Sequence, residues 1–242
     1  VSCCPDMSAQ HSAILVLHNV SKKKNFGDLL RTGAAMGISE VVVVGAEKLA
    51  AHGAHGCASH LRFSHFHSLR TAVDYLRNVQ HATICGIEIC DAAQPVHTHP
   101  FRDGSTAFMV GNEGQGLTPT QMEVCDHFVY IPQHAPATAS LNVNAACAVV
   151  LHHFATWAAF PQVTRDGFKF DVKSPPSSLP HSGMGLKQMR TLGPDGVPLN
   201  RKEYGADGPS DCDIDGEADS GVDRGDGGGD DEPVDAMESL FP

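Results

Sequence analysis

Three stretches of this chain bring together residue types that could do chemistry. Between His18 and Gly37, the lysines Lys22, Lys23 and Lys24 lead to Asn25 and Gly27, with Arg31 further on. An amide, a helix amino terminus and an arginine can converge there on a phosphate. The first N–H groups of a helix lack partners within it, and a guanidinium fork matches phosphate oxygens. Between Thr106 and Thr118, an apolar run ends in glycines at 111, 114 and 116. This spacing is neither a dinucleotide fingerprint nor a Walker loop. Glu113 inside the turn would repel phosphates, so a ligand with a cationic centre suits it better. Between Tyr130 and His153, Ile131–Pro132 gives way to a polar loop, and Ser140 stands as a candidate cap before a long helix. Asn142 and Asn144 in its first turn either satisfy backbone groups or face a ligand. Taken singly, each stretch also reads as a solvated loop, a tight turn or an ordinary helix start.

The elements that must position these residues alternate in type. Short apolar runs at Ala13–Leu17, Val41–Val44, Thr83–Ile89, Ala107–Val110 and Phe128–Ile131 predict strands. Several are apolar on successive residues, which suits a parallel sheet covered on both faces. Helical spacing is found over Gly27–Met36, Ser68–Arg77 and the Ala-rich Leu141–Phe160. The expected fold is therefore α/β, with a mainly parallel sheet and helices on both faces.

Composition divides the 242 residues unequally. Residues 1–170 carry 11 Lys/Arg against 12 Asp/Glu, and residues 171–242 carry 6 against 16. Nearly all of the net charge of −11 thus belongs to the last part, and overall acidity does not argue against nucleic-acid binding by the first. The expected organisation is a flexible start over 1–11, a folded domain over 12–170 and a disordered acidic, Gly/Asp/Pro-rich tail over 171–242. No apolar stretch is long enough to span a bilayer, and no secretion signal is visible, so no membrane association is expected. The eight cysteines form no CxxC pair. Reduced thiols in an intracellular protein are expected, whether cytoplasmic, nuclear or organellar. His52, His55, His60, His65 and His67 crowd around Cys57, but their spacing matches no standard zinc finger and no metal is expected.

Together the three stretches resemble the SpoU/TrmH family of RNA ribose 2′-O-methyltransferases, within the knotted SPOUT class. The matching residues are Asn19, Asn25, Gly27, Arg31, Thr32 and Gly37; then Gly111, Glu113, Gly116 and Leu117; then Ile131, Pro132, Ser140, Leu141, Asn142 and Val143. The resemblance runs from about Ser12 to about Lys169. It implies a carboxy-terminal trefoil knot, a homodimer and S-adenosylmethionine as cofactor. Gly111, Ile131 and Leu141 would hold the adenosyl part, with Val110 and Ser140 beside them. Asn25, Arg31, Glu113, Ser140 and Asn142 match the positions tied to catalysis, and Arg31 would face the cofactor of the other subunit. The chain departs from the family's usual residues at Asp28, Gly33 and Asn144.

The resemblance implies tRNA or rRNA as substrate. Arg31 with Lys22, Lys23 and Lys24 would contact the RNA, unless an accessory protein partner supplies the affinity. A guanidinium does not act as a base at neutral pH, so Arg31 is expected to fix a phosphate and favour ionisation of the ribose hydroxyl. A base-methylating enzyme of the same class and a catalytically silent RNA-binding scaffold are the competing readings.

Overall fold

The computed structural model describes residues 11–18, 20, 23–45, 57–166, 169–170 and 191–199. Its main sheet contains β1 (Ser12–His18), β2 (Glu40–Val44), β3 (Phe63–Phe66), β4 (Ala82–Ile87), β5 (Ala93–Pro95), β6 (Ser105–Val110) and β7 (His127–Tyr130). Their spatial order is β3-β2-β1-β6-β4-β7-β5, and every pairing is parallel. A separate antiparallel pair joins β8 (Arg165–Asp166) to β9 (Lys169–Phe170).

The strands are apolar at consecutive positions because each face of the sheet is roofed by helices. Leu15, Leu17, Val41, Val43, Phe108 and Val110 pack with residues of α1 (Lys23–Ala35) and α4 (Val143–Trp157). Their neighbours Ile14, Val16, Val42, Ala107 and Met109 pack with Ala72, Val73, Tyr75 and Leu76 of α2 (Leu69–Asn78). Met122 and Val124 of α3 (Pro119–Val124) join this second layer. The expected α/β sheet with helices on both faces is thus observed. Cys85 and Cys147 are fully buried within the apolar layers, and burial pushes the Cys147 thiol up to about 12. The described cysteines are free thiols.

The strand β3 was not evident from sequence because its segment, Phe63-Ser64-His65-Phe66, buries two polar residues. Both find partners from a distance. The Ser64 hydroxyl donates to Glu40, itself buried on β2, while His65 Nδ1 lies 3.1 Å from the Thr191 hydroxyl. That last contact corrects the expected unstructured tail. Thr191 bridges β3 at His65, the Leu192 amide donates to the His65 carbonyl at 2.8 Å, and Leu192 packs on the second apolar layer. Residues 191–199 therefore belong with the sheet, although composition assigned them to the acidic segment; the rest of 171–242 lies outside the described residues.

The Tyr75 hydroxyl completes this polar group, 3.0 Å and 3.2 Å from the two Glu40 oxygens, and accepts from Gln80 at 2.6 Å. Burial and then the Glu40 carboxylate raise the Tyr75 pKa, which keeps the hydroxyl a donor. Tyr75→Phe removes one of two hydroxyl donors from a buried carboxylate. It should cost about 2 kcal/mol of stability. A urea unfolding midpoint unchanged from wild type would contradict this.

Candidate active site

The site is built where three adjacent strands, β6, β4 and β7, end side by side, the usual ligand position in an open parallel sheet. After Val110 the chain turns at once. Gly111 approaches the returning backbone so closely that a Cβ there would lie 2.2 Å from the Gly116 carbonyl carbon and 2.5 Å from the Leu117 nitrogen. The loop is closed by reciprocal bonds, Asn112 N to Gly116 O at 2.9 Å and Gly116 N to Asn112 O at 3.0 Å. The Asn112 side chain also accepts from Gly114 N at 2.9 Å. Gly116 has φ +70°, which suits glycine. The chain then enters α3 through a capping box between Thr118 and Gln121.

Glu88, the first residue after β4, clamps this loop from the side. One carboxylate oxygen accepts from Leu117 N at 2.8 Å and the other from Ile89 N at 2.9 Å. Sequence reasoning missed Glu88 because the predicted strand Thr83–Ile89 absorbed it; the available signal was an acid at the end of an otherwise buried strand.

Between these strand ends and the start of α4 lies an open cleft of about 280 Å³. Val110, Gly111, Ile131, Ser140 and Leu141, the five expected cofactor-binding residues, all line it. Glu88 and Glu113 also line it, and among the described residues no Lys, Arg or His does. The cleft is therefore electronegative, suited to a cationic ligand and not to a phosphate.

Three residues far apart in sequence meet at its edge. Asn25 donates through Nδ2 to Glu113 Oε1 at 2.9 Å, and its Oδ1 accepts from Asn142 Nδ2 at 3.2 Å. Asn25 is buried on α1, so its amide is held from both sides. Asn142 serves two tasks, because its Oδ1 also accepts from Asn144 N at 2.9 Å and caps α4. This corrects the expected cap: Asn142, not Ser140, opens the helix, and Ser140 sits on the exposed loop before it. Two turns along α1 from Asn25, Thr32 donates to Asn144 Oδ1 at 2.7 Å, so Asn144 helps to tie α1 to α4.

The lysine run is corrected as well. The sequence suggested a loop leading to a helix near Gly27, yet α1 starts at Lys23, with Lys24 exposed in its first turn. Arg31 is exposed on the same helix and does not line its own chain's cleft. Asn19 and Lys22 lie outside the described residues. Of the crowded histidines, His52 and His55 also lie outside them, His65 is buried against Thr191 and His67 is exposed.

Comparison with known proteins accords with this geometry. Residues 12–152 match the SpoU rRNA Methylase family. Over 148 residues the chain is 30% identical to the 23S rRNA (guanosine-2′-O-)-methyltransferase RlmB of Acinetobacter baylyi, covering 57% of each protein. It thus spans little more than half the length of that relative. Among solved structures, the AdoMet-bound rRNA methyltransferase from Sinorhizobium meliloti superposes with a TM-score of 0.55 at 18% identity, over 62% of this chain and 60% of that one. The SpoU methyltransferase AviRb from Streptomyces viridochromogenes gives a TM-score of 0.53 at 19% identity, with coverage of 62% and 60%. These two share the fold. With its three motifs joined around one cleft and its residues 12–152 matching the family, the chain belongs to the SpoU methylase family.

Proposed function

We propose that this protein transfers a methyl group from S-adenosylmethionine to a ribose 2′-hydroxyl of tRNA or rRNA. The observation that carries the reading is the Asn25–Glu113–Asn142 hydrogen-bonded group, which joins all three motifs at the edge of an electronegative cleft. The residues present fit the cofactor. Gly111 leaves a close-packed backbone wall that any side chain would fill, and the Glu88 and Glu113 carboxylates in the lining suit a sulfonium. Val110, Gly111, Ile131, Ser140 and Leu141 would hold it. When bound, it supplies an electrophilic methyl carbon.

The rest of the chemistry falls to this chain's side chains. Asn25 and Asn142 fix the Glu113 side of the cleft, so that the reacting groups meet an ordered wall; such positioning lowers barriers by several kcal/mol in general. Arg31 fixes the phosphate beside the target ribose and favours ionisation of its 2′-hydroxyl, the proton passing to phosphate or solvent. Lys22, Lys23 and Lys24 add phosphate contacts, which makes RNA binding sensitive to salt. A ribose hydroxyl also restricts the substrate to RNA.

The proposed assembly is a homodimer, supported by the position of Arg31 outside its own cleft, from where it would serve a partner's site. A trefoil knot is proposed as well. Its support is that β6 lies between β1 and β4, and β7 between β4 and β5, so each enters between strands earlier in the chain.

Transfer of labelled methyl from S-adenosylmethionine to total RNA, followed by digestion and identification of the nucleoside, tests the function. A 2′-O-methylated nucleoside is expected. A methylated base would indicate the base-modifying chemistry instead. RNA binding and cofactor binding without any product would indicate a silent scaffold.

A further inference from the structure

We propose that Glu88 gives the cleft a charge preference for the methylated cofactor over its demethylated product. This rests on the cofactor reading above. Glu88 follows β4, the strand flanked by the two others that end at the cleft; it lines the cleft with Gly111 and Ile131, and its carboxylate lies against two further lining residues, Ile89 and Gly116. Both carboxylate oxygens are engaged by backbone amides, Ile89 N and Leu117 N, which orient the group while leaving its negative charge in place. Among the described residues it makes no salt bridge, and no cationic side chain lines the cleft to offset it. The charge therefore stands at the wall of the cleft, beside whatever the cleft holds.

Methyl transfer changes the charge of that occupant. As the new O–CH₃ bond forms, the S–CH₃ bond breaks and its electron pair stays on sulfur, turning a sulfonium into a neutral thioether; the hydroxyl proton goes to phosphate or solvent. The occupant thereby loses one positive charge in a cleft lined by two carboxylates. Glu88 holds the charged form before the reaction and releases its grip once the charge is gone, easing exchange of product for fresh cofactor.

Titration calorimetry with S-adenosylmethionine and with S-adenosylhomocysteine separates this role from loop support. Losing a loop clamp weakens both ligands alike, whereas losing a charge weakens only the cationic one. In Glu88→Gln the ratio of the two Kd values should shift by about fivefold against S-adenosylmethionine, the size expected for one charge acting across a ligand's width near a protein surface. Glu88→Asp, which keeps the charge, should retain the wild-type ratio even if both affinities fall. Glu88→Ser offers a second neutral variant should the glutamine protein fail to fold, with the same shift expected. An unchanged ratio in either folded neutral variant would overturn the proposal and leave Glu88 as a loop clamp only. A wild-type protein that binds neither ligand would instead remove the cofactor reading on which it depends.

Discussion

Gly111→Ala should abolish measurable cofactor binding, raising Kd by at least about a hundredfold, while Gly114→Ala should leave it nearly unchanged. The difference follows from what each new methyl would meet. At Gly111 it would stand 2.2 Å from the Gly116 carbonyl carbon and 2.6 Å from its oxygen, and backbone cannot swing aside as a flexible side chain can. Either the end of β6 or the whole Asn112–Gly116 turn has to move, and the turn is locked by its reciprocal bonds and by Glu88 on Leu117. Displacements near 1 Å in a positioned site are worth about a hundredfold in function. At Gly114 the nearest atom to a new Cβ is Asn112 Oδ1 at 3.6 Å, an ordinary contact. Calorimetry on both variants decides the matter; tight binding by Gly111→Ala would show that the loop does not form the cofactor wall.

Arg31→Lys should retain cofactor binding and lose about a hundredfold to a thousandfold in kcat for RNA methylation. The positive charge survives this change, but a planar fork able to hold a phosphate by two parallel bonds becomes a point charge. The loss of one preorganised donor at a centre of developing charge has that magnitude. Arg31 is assigned to the RNA phosphate and not to the residues that hold the cofactor, so the cofactor Kd measured without RNA offers a control within the same experiment. Near-normal turnover by the lysine variant would defeat the role assigned to Arg31.

The parallel sheet was readable because its buried strands need apolar residues at consecutive positions, and Val41–Val44 or Ala107–Val110 satisfy little else. β3 was not readable, because Ser64 and His65 are buried only by virtue of Glu40 and Thr191, the latter 126 residues away from His65. No local period encodes such a pairing. The motif residues were visible by type and spacing, yet their contacts were not. Asn25 lies 88 residues from Glu113 and 117 from Asn142, so sequence supplied the participants without their geometry. The choice of cap illustrates the same limit. Ser140 and Asn142 are equally good caps by chemistry, and what distinguishes Asn142 is that its amide also reaches Asn25. Thr191 to Leu199 was misassigned because composition describes a stretch on average, and two anchors in an acidic segment, the polar Thr191 and the apolar Leu192, disappear into that average.

The placement of β6 against β1, where Ser12 pairs with Ser105, has a consequence for biosynthesis. A growing chain can make the β1–β2 and β2–β3 pairings early, but the middle of its sheet stays open until Ser105, 93 residues after Ser12, has left the ribosome. The edge of β1 must wait for β6, and the Asn25 amide must wait for Asn142. Parallel pairings of such long range form slowly and leave strand edges exposed to aggregation meanwhile. The nascent protein thus has no complete cleft at any earlier stage: the site closes late and all at once, after translation has passed the start of α4.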